Sequence, residues 1–291
     1  MAVGLQPAQA QTSEYYLLRA ESGHMWVIQN GQVVREWNVD GDLEIPLTVI
    51  DTVRTYGYRP GDVGTEYALD GQMTGEHYPW VDGCGASWLD GTTDGQFAYA
   101  IQYTGNRPVC RFDLNWTNPT LLFNCPPGEQ WDALTYDPTD DTFWITGRNN
   151  VLAQLDRSGN VLQRFTIPGG GRSAGLAYDA ADDTFWMYRG GDLIQQYSKS
   201  GQLLQSHNVA GVSGNVWGGE FQFSPGGCVY TVKKSKSKRG CENCPEKGSD
   251  FRTDSECEDV KDCAKKLKTT IACPRGGNGI CKIKGKVKSC G

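Results

Sequence analysis

At 291 residues the chain is long enough for one large or two smaller domains, and its 37 glycines, nine tryptophans and 11% aromatic content suit an all-β protein with many tight turns. That composition excludes a helical bundle, and no run of 18 apolar residues is present to span a membrane. The net charge of −6 hides a division: residues 228–291 carry 16 Lys and Arg against 8 Asp and Glu, whereas the rest of the chain carries 12 against 26, so two parts of opposite sign are expected.

Residues 1–14 lack an apolar h-region, yet Ala8-Gln9-Ala10 has the small-residue form of a signal-peptide cleavage site. The segment reads as the remnant of an export signal or as a disordered N-terminus. From Tyr15 onward, short apolar runs alternate with turn residues. MWVIQ-Asn30-Gly31-QVVREW has the form of a hairpin with an Asn-Gly turn, EYAL-Asp70-Gly71-QMTGEHY repeats it, and VCRFDLNWTNPTLLFNC supplies a third around Thr117.

The repeat is clearest beyond residue 130. Residues 133–165 align without a gap to 175–207 at an offset of 42, so that Leu134, Tyr136, Asp137, Asp140 and Asp141 match Leu176, Tyr178, Asp179, Asp182 and Asp183. Thr142-Phe143-Trp144 likewise matches Thr184-Phe185-Trp186. Each copy reads as four strands: ALTYD, an Asp-rich turn, TFWIT, VLAQLD, a Ser-Gly turn and VLQRF. Four strands at a period in the forties predict a β-propeller. Turn centres near 30, 71, 117, 158 and 200 give five four-stranded blades, a sixth built on Cys228–Lys233 being the competing count. Tyr15–Ala20 aligns with a second strand, so the first blade lacks its innermost one. Residues 215–223, NVWGGEFQF, are expected to supply it and close the ring, which places the propeller over 15–227.

The pattern then stops. Residues 228–240 read as a Lys/Ser-rich linker and 241–291 as a small, basic, disulfide-rich C-terminal domain. Cys228, Cys241, Cys244, Cys257, Cys263, Cys273, Cys281 and Cys290 fall in this part, a density that points to disulfides in an oxidising compartment and to a secreted or cell-surface protein. Eight cysteines allow 105 pairings. A zinc site is disfavoured, because Cys241-x-x-Cys244 has no second half and the tail has no histidine. Within the propeller, Cys110 and Cys125 flank the Thr117 hairpin and are expected to pair across it, leaving Cys84 over.

Several motifs together carry a family resemblance: NPTLLFN (118–124), the repeated LxYDxxxDxFW, YSKSGxLLQ (197–205), GGEF (218–221), LDGTTDG (89–95) and TYGYRPGDVGTEYAL (55–69). Over roughly residues 15–223 the chain resembles secreted bacterial propellers of the PEP-CTERM-associated type. The resemblance implies export, a propeller related to NHL-type repeats and no established catalytic activity. The chain departs from that group after residue 223, where the cysteine-rich tail stands in place of the Pro-Glu-Pro motif, apolar segment and Arg cluster.

Candidate chemistry is sparse. His24, His77 and His207 have no metal-ligand spacing, and no nucleophile elbow, zinc-protease or phosphate-loop motif occurs. The Asp-rich turns Asp90/Asp94, Asp137/Asp140/Asp141 and Asp179/Asp182/Asp183 are the weak metal candidates, Asp137, Asp140, Asp179 and Asp182 foremost, with Ca²⁺ as the ion, against the alternative that such aspartates cap the turn after each first strand. The Phe143-Trp144 and Phe185-Trp186 pairs are expected to put one ring between blades and the other on the outer side, and Trp80, Trp116 and Trp217 are candidates for sugar stacking. Lys233, Lys234, Lys236, Lys238, Arg239, Lys282, Lys284, Lys286 and Lys288 are candidates for polyanion binding, with nucleic acid disfavoured because only Phe251 accompanies them. The sequence thus leads to a non-enzymatic exported module with no cofactor and an unknown ligand, possible classes being a glycan or a cell-surface polymer. A Ca²⁺-dependent propeller hydrolase or lactonase is the enzymatic alternative.

Overall fold

The computed structural model describes residues 13–41, 43–169, 173–223, 228–238, 247, 250–252, 266–272 and 280–290. These fall into two compact units, Met1–Phe223 and Ser224–Gly291. The expected remnant at 1–14 lies outside the described residues except for Ser13 and Glu14.

In the first unit β1 (Tyr15–Arg19), β2 (His24–Gln29) and β3 (Gln32–Asn38) begin one blade. The next blade is β4 (Glu44–Val49), β5 (Thr52–Gly57), β6 (Val63–Ala68) and β7 (Met73–Pro79). Then follow β8 (Trp88–Thr93), β9 (Phe97–Gln102), β10 (Pro108–Asp113) and β11 (Thr120–Asn124). The two near-identical repeats become β12 (Trp131–Asp137) to β15 (Val161–Thr166), through β13 (Thr142–Gly147) and β14 (Val151–Leu155), and β16 (Ala174–Asp179) to β19 (Leu203–Asn208), through β17 (Thr184–Gly190) and β18 (Leu193–Ser198). Finally β20 (Val216–Phe221) pairs antiparallel with β1, Tyr15 opposite Phe221 and Leu17 opposite Gly219, and so completes the first blade. Five four-stranded antiparallel blades form the ring, closed by strands from its two ends.

The blades hold together because the inner strands are buried on both faces. β12, β13, β14 and β16 are buried along their whole length, while the outermost strands β3 and β15 alternate between exposed and half-buried residues. Each sheet is sandwiched between two neighbours, so both faces of its inner strands are core. For this reason Phe143 and Trp144, on opposite faces, enter two different inter-blade clusters, and neither ring lies on the outer side as expected from sequence.

The turns of the repeat are set by local chemistry. Asp141 and Asp183 adopt φ of 54° and 60°, the left-handed region that aspartate tolerates better than most residues. The Ser-Gly turns add a packing function. Gly159 and Gly201 have φ of 82° and 76°, and a Cβ on them would lie 2.7 Å from the Phe123 ring and 2.8 Å from Phe165. Each glycine is thus seated against an aromatic on the outer strand of the preceding blade, which couples the turn to ring assembly.

The second unit is a separate four-stranded sheet in the order β22-β21-β24-β23, from β21 (Cys228–Lys238), β22 (Asp250–Arg252), β23 (Lys266–Ala272) and β24 (Ile280–Cys290). The Lys/Ser-rich stretch taken from sequence as a linker is therefore largely a strand, and not one of a sixth blade. Its alternation gains a partner in KIKGKVK of β24, with Lys234 opposite Lys284 and Lys236 opposite Lys282.

Candidate functional site

The innermost strands β4, β8, β12, β16 and β20 turn a free backbone edge toward the ring axis, and those N–H groups need acceptors. One carboxylate meets much of this need. Asp90 on β8 accepts from Leu134 N–H of β12 (3.3 Å) and Leu176 N–H of β16 (3.2 Å) through Oδ2, and from Gly219 N–H of β20 (3.1 Å) and Gly91 N–H (2.9 Å) through Oδ1. Four of the five blades are joined by this one side chain. A step along, the Thr92 hydroxyl accepts from Tyr136 N–H of the next blade (3.0 Å), and the Thr135 hydroxyl accepts from Tyr178 N–H of the blade after (3.1 Å).

Thr135 in turn donates to Glu220 Oε1 (3.4 Å), which also takes Phe221 N–H (3.0 Å). Glu220 Oε2 has no hydrogen-bond partner among the described residues. Burial pushes the Glu220 carboxyl well up, an effect that the Thr92 hydroxyl and the bonds to Oε1 only partly offset. Asp90 is pushed up for the same reason, helped by the nearby Glu220, while its N–H donors pull the other way. The Tyr15 hydroxyl, bonded to the Gly175 carbonyl, is raised by burial and by Asp90. Asp90 is fully buried and Glu220 nearly so. The contacts of the two buried carboxyls knit the inner strands together across the ring axis.

A second set of acidic groups lies at the turns. Arg157 donates from Nε to Asp141 (2.7 Å), from one terminal nitrogen to Asp94 (3.0 Å) and the Tyr99 hydroxyl (2.8 Å), and from the other to the Tyr136 hydroxyl (3.2 Å). Forty-two residues on, Lys199 Nζ stands 2.7 Å from Asp137, 2.7 Å from Asp183 and 3.2 Å from Asp140. The two cations occupy equivalent places, each tying its own blade's first turn to the aspartate ending the inner strand of the blade before. Burial works to raise Asp183, but the hydrogen bonds from Lys199 and Tyr178 outweigh it and hold the carboxyl low.

The four foremost of the weak metal candidates are thereby placed. Asp137 and Asp140 surround Lys199, so the protein's own ammonium stands among these carboxylates. Asp179 accepts from Ala181 N–H (3.0 Å) and the Ser13 hydroxyl (2.7 Å), and Asp182 accepts from Gln196 (2.7 Å). Asp137 accepts from Thr139 N–H (2.9 Å) in the same turn-capping manner as Asp179. Among the described residues no three His, Cys, Asp or Glu side chains form a group that could hold a metal.

Two other expectations are corrected. The disulfide joins Cys84 to Cys110, with Cα atoms 6.2 Å apart, and Cys125 is a buried free thiol. The β10–β11 register shifts between Val109 and Cys110, which sets Cys110 opposite Leu121, while Cys125 N–H bonds to the Arg107 carbonyl. Cys125 is thus about 10 Å along the hairpin from Cys110, beyond disulfide reach. Trp116, a candidate for sugar stacking, is fully buried and stacks on Tyr56, which stacks on Trp80 as well. Arg239 and Cys241, Cys244, Cys257, Cys263 and Cys273 lie outside the described residues; Cys228, Cys281 and Cys290 lie on strands, and the backbone register sets Cys228 opposite Cys290. Asp90, read from sequence with Asp94 as part of an Asp-rich turn and so as an ion candidate, lies instead within the inner strand β8; Glu220 went unmarked, its one signal being an acidic residue within an inner strand.

No protein-family model matches the chain, and no curated protein matches it. Among solved structures it is similar to a protein of unknown function from Bacteroides caccae, at a TM-score of 0.44 and 10% identity over 71% of this chain and 77% of that one. It is similar also to a chain of a nidogen/laminin complex (0.49, 10%, 73% and 99%) and to a functionally unknown protein from Desulfotomaculum acetoxidans (0.41, 12%, 74% and 77%). The blade count rests on the strand order alone.

Proposed function

We propose that this protein is an exported, non-enzymatic β-propeller that acts as a binding or cell-surface/extracellular-matrix module, its blade loops forming the recognition face. One observation supports binding over catalysis: of the carboxylates that a propeller hydrolase would gather, those at the turns and Asp90 are already engaged, and Glu220, which keeps one unpartnered oxygen, is buried. Asp90 is held by four backbone N–H groups, and Lys199 and Arg157 sit where the turn carboxylates would otherwise receive a cation. Export is supported by the Cys84–Cys110 disulfide and the cysteine-dense tail. The motifs of residues 15–223 are the support for relating the protein to the PEP-CTERM-associated propellers.

The test presents the full chain to arrays of glycans and cell-envelope polymers, and in parallel to lactone and ester substrates with and without Ca²⁺. Saturable binding to one ligand class without turnover is expected. Turnover that is lost on chelation, together with a Ca²⁺-dependent rise in Tm, would overturn the proposal in favour of the hydrolase.

A further inference from the structure

We infer that the C-terminal sheet is a binding face for an acidic polysaccharide, built from seven lysines on three adjacent strands. The inference concerns the second unit only and is independent of the role proposed for the propeller. Two of these lysines, Lys266 and Lys268, escaped the sequence reading; the register brings them in. Lys234 of β21 pairs with Lys284 of β24, which pairs with Lys268 of β23, a row of three. Lys236 pairs with Lys282 beside it, and Lys286 pairs with Lys266. Residues directly opposite in an antiparallel pair share a face, so all seven stand on one side, and all are exposed.

The alternation that produces this face is kept in phase by a bulge. Between Val232 and Lys234 the β21 register shifts, so Lys233 is an extra residue and Lys234 and Lys236 fall in step with Lys284 and Lys282. Val232 and Ile283, on the other face, are buried. Lysines neighbouring across strands are about 4.8 Å apart at the backbone, and successive ones along a strand about 6.7 Å apart. Like charges in direct opposition weaken a sheet unless something neutralises them. Asp250, on the edge strand β22, is the one acidic residue among the described residues of the sheet. A polymer carrying regularly spaced anions supplies the missing countercharge.

The chemistry favours a polysaccharide over nucleic acid or a lipid surface. No aromatic residue falls in the lysine rows to stack on bases, since Tyr230 and Phe251 pair with each other and Tyr230 with Val287. No arginine stands in them to grip phosphate in two-pronged fashion. The residues that fill out the three rows, Thr231 and Thr270, are polar, so the rows offer nothing apolar to a bilayer, and Ile280 and Ala272 follow only in the next row.

Calorimetric titration of the full chain with polygalacturonate tests the assignment. Wild type is expected to bind, with affinity falling linearly in log salt as counterions are released. At about 50 mM salt each engaged lysine is worth about 10-fold in affinity, so K282Q/K284Q and, separately, K266Q/K268Q should weaken binding by well over 10-fold. K282R/K284R should retain it, and R59Q/K247Q, which removes the same charge elsewhere, should change it by less than about 3-fold. The inference is overturned if the face variants bind like wild type or if the control loses as much as they do. It is overturned too if wild-type binding ignores salt, or if an oligothymidylate of matched charge binds more tightly than polygalacturonate.

Discussion

Asp90→Asn isolates the work of the axial carboxylate, because the amide keeps its shape and removes one acceptor. Whichever way the amide turns, two backbone N–H groups come to face its NH₂: Leu134 and Leu176, or Gly219 and Gly91. An orphaned buried donor costs about 1–3 kcal/mol, so the pair costs about 2–6 kcal/mol. For a domain of this size that lowers Tm by about 4–24 °C at about 2–4 °C per kcal/mol. The assay is thermal and urea unfolding at pH 7, followed by tryptophan fluorescence and far-UV circular dichroism. Asp70→Asn makes the same charge change at an exposed turn, where the carboxylate receives only Gln72 N–H (3.1 Å), and should stay within about 0.5 kcal/mol of wild type. A loss below about 1 kcal/mol in Asp90→Asn would refute the reasoning, since it would mean that the inner edges find other acceptors and the blades are not joined through this residue.

Glu220→Gln tests the unpartnered oxygen. Because the folded-state pKa is raised, the folded chain keeps a proton that the unfolded chain releases above about pH 4, so ionisation costs stability as pH rises from there; the variant should match wild type near pH 4 and gain on it toward pH 8 in urea melts. Lys199→Met keeps the stem but strands the buried Asp137, and after allowing for the partial exposure of Lys199 should cost about 1–3 kcal/mol. Asp183, held low by Lys199, contributes stability above its unfolded pKa that fades as pH falls, and this acid limb should shrink in the same variant. Replacing Cys84 and Cys110 by Ser opens a loop of 26 residues, which by chain entropy costs about 3.5 kcal/mol in denaturant melts. Peptide mapping after iodoacetamide should find Cys125 unlabelled in the native protein and labelled in urea, because the thiol is buried.

The blades and their closure were legible because the turn chemistry recurs at one register: Asp141 and Asp183 take the left-handed conformation, and Gly159 and Gly201 turn against a neighbour's ring. GGEF read correctly as a first strand because it lies where the repeat lacks one. Other features depend on neighbours that no local pattern names. Asp90 meets N–H groups 44, 86 and 129 residues away, and the Cys84–Cys110 pairing goes with a hairpin that turns between Asp113 and Thr117, which leaves Cys125 beside Arg107 and Cys110 opposite Leu121. The strand at 228–238 was hidden for a different reason. Lysine is uncommon in strands, so KKSKSK resembles a linker until the matching lysines of β24 pair with it.

The axial network also explains why the ring has five blades and not six. A carboxylate spans little more than 2 Å between its oxygens, and a hydrogen bond adds about 3 Å on each side. Asp90 nevertheless reaches the inner edges of the next blade, the one beyond it, and the closing blade. Such reach requires inner strands crowded around a narrow axis, and β20 does approach the non-adjacent β8 and β12 as well as its neighbours β16 and β4. A sixth blade would widen the axis and part Leu176 or Gly219 from this carboxylate, leaving buried N–H groups without acceptors. Bulk apolar packing between blades is compatible with several ring sizes, because each interface involves only two neighbours. The single polar group shared by four blades is not, so blade number is specified at Asp90 more sharply than in the inter-blade core.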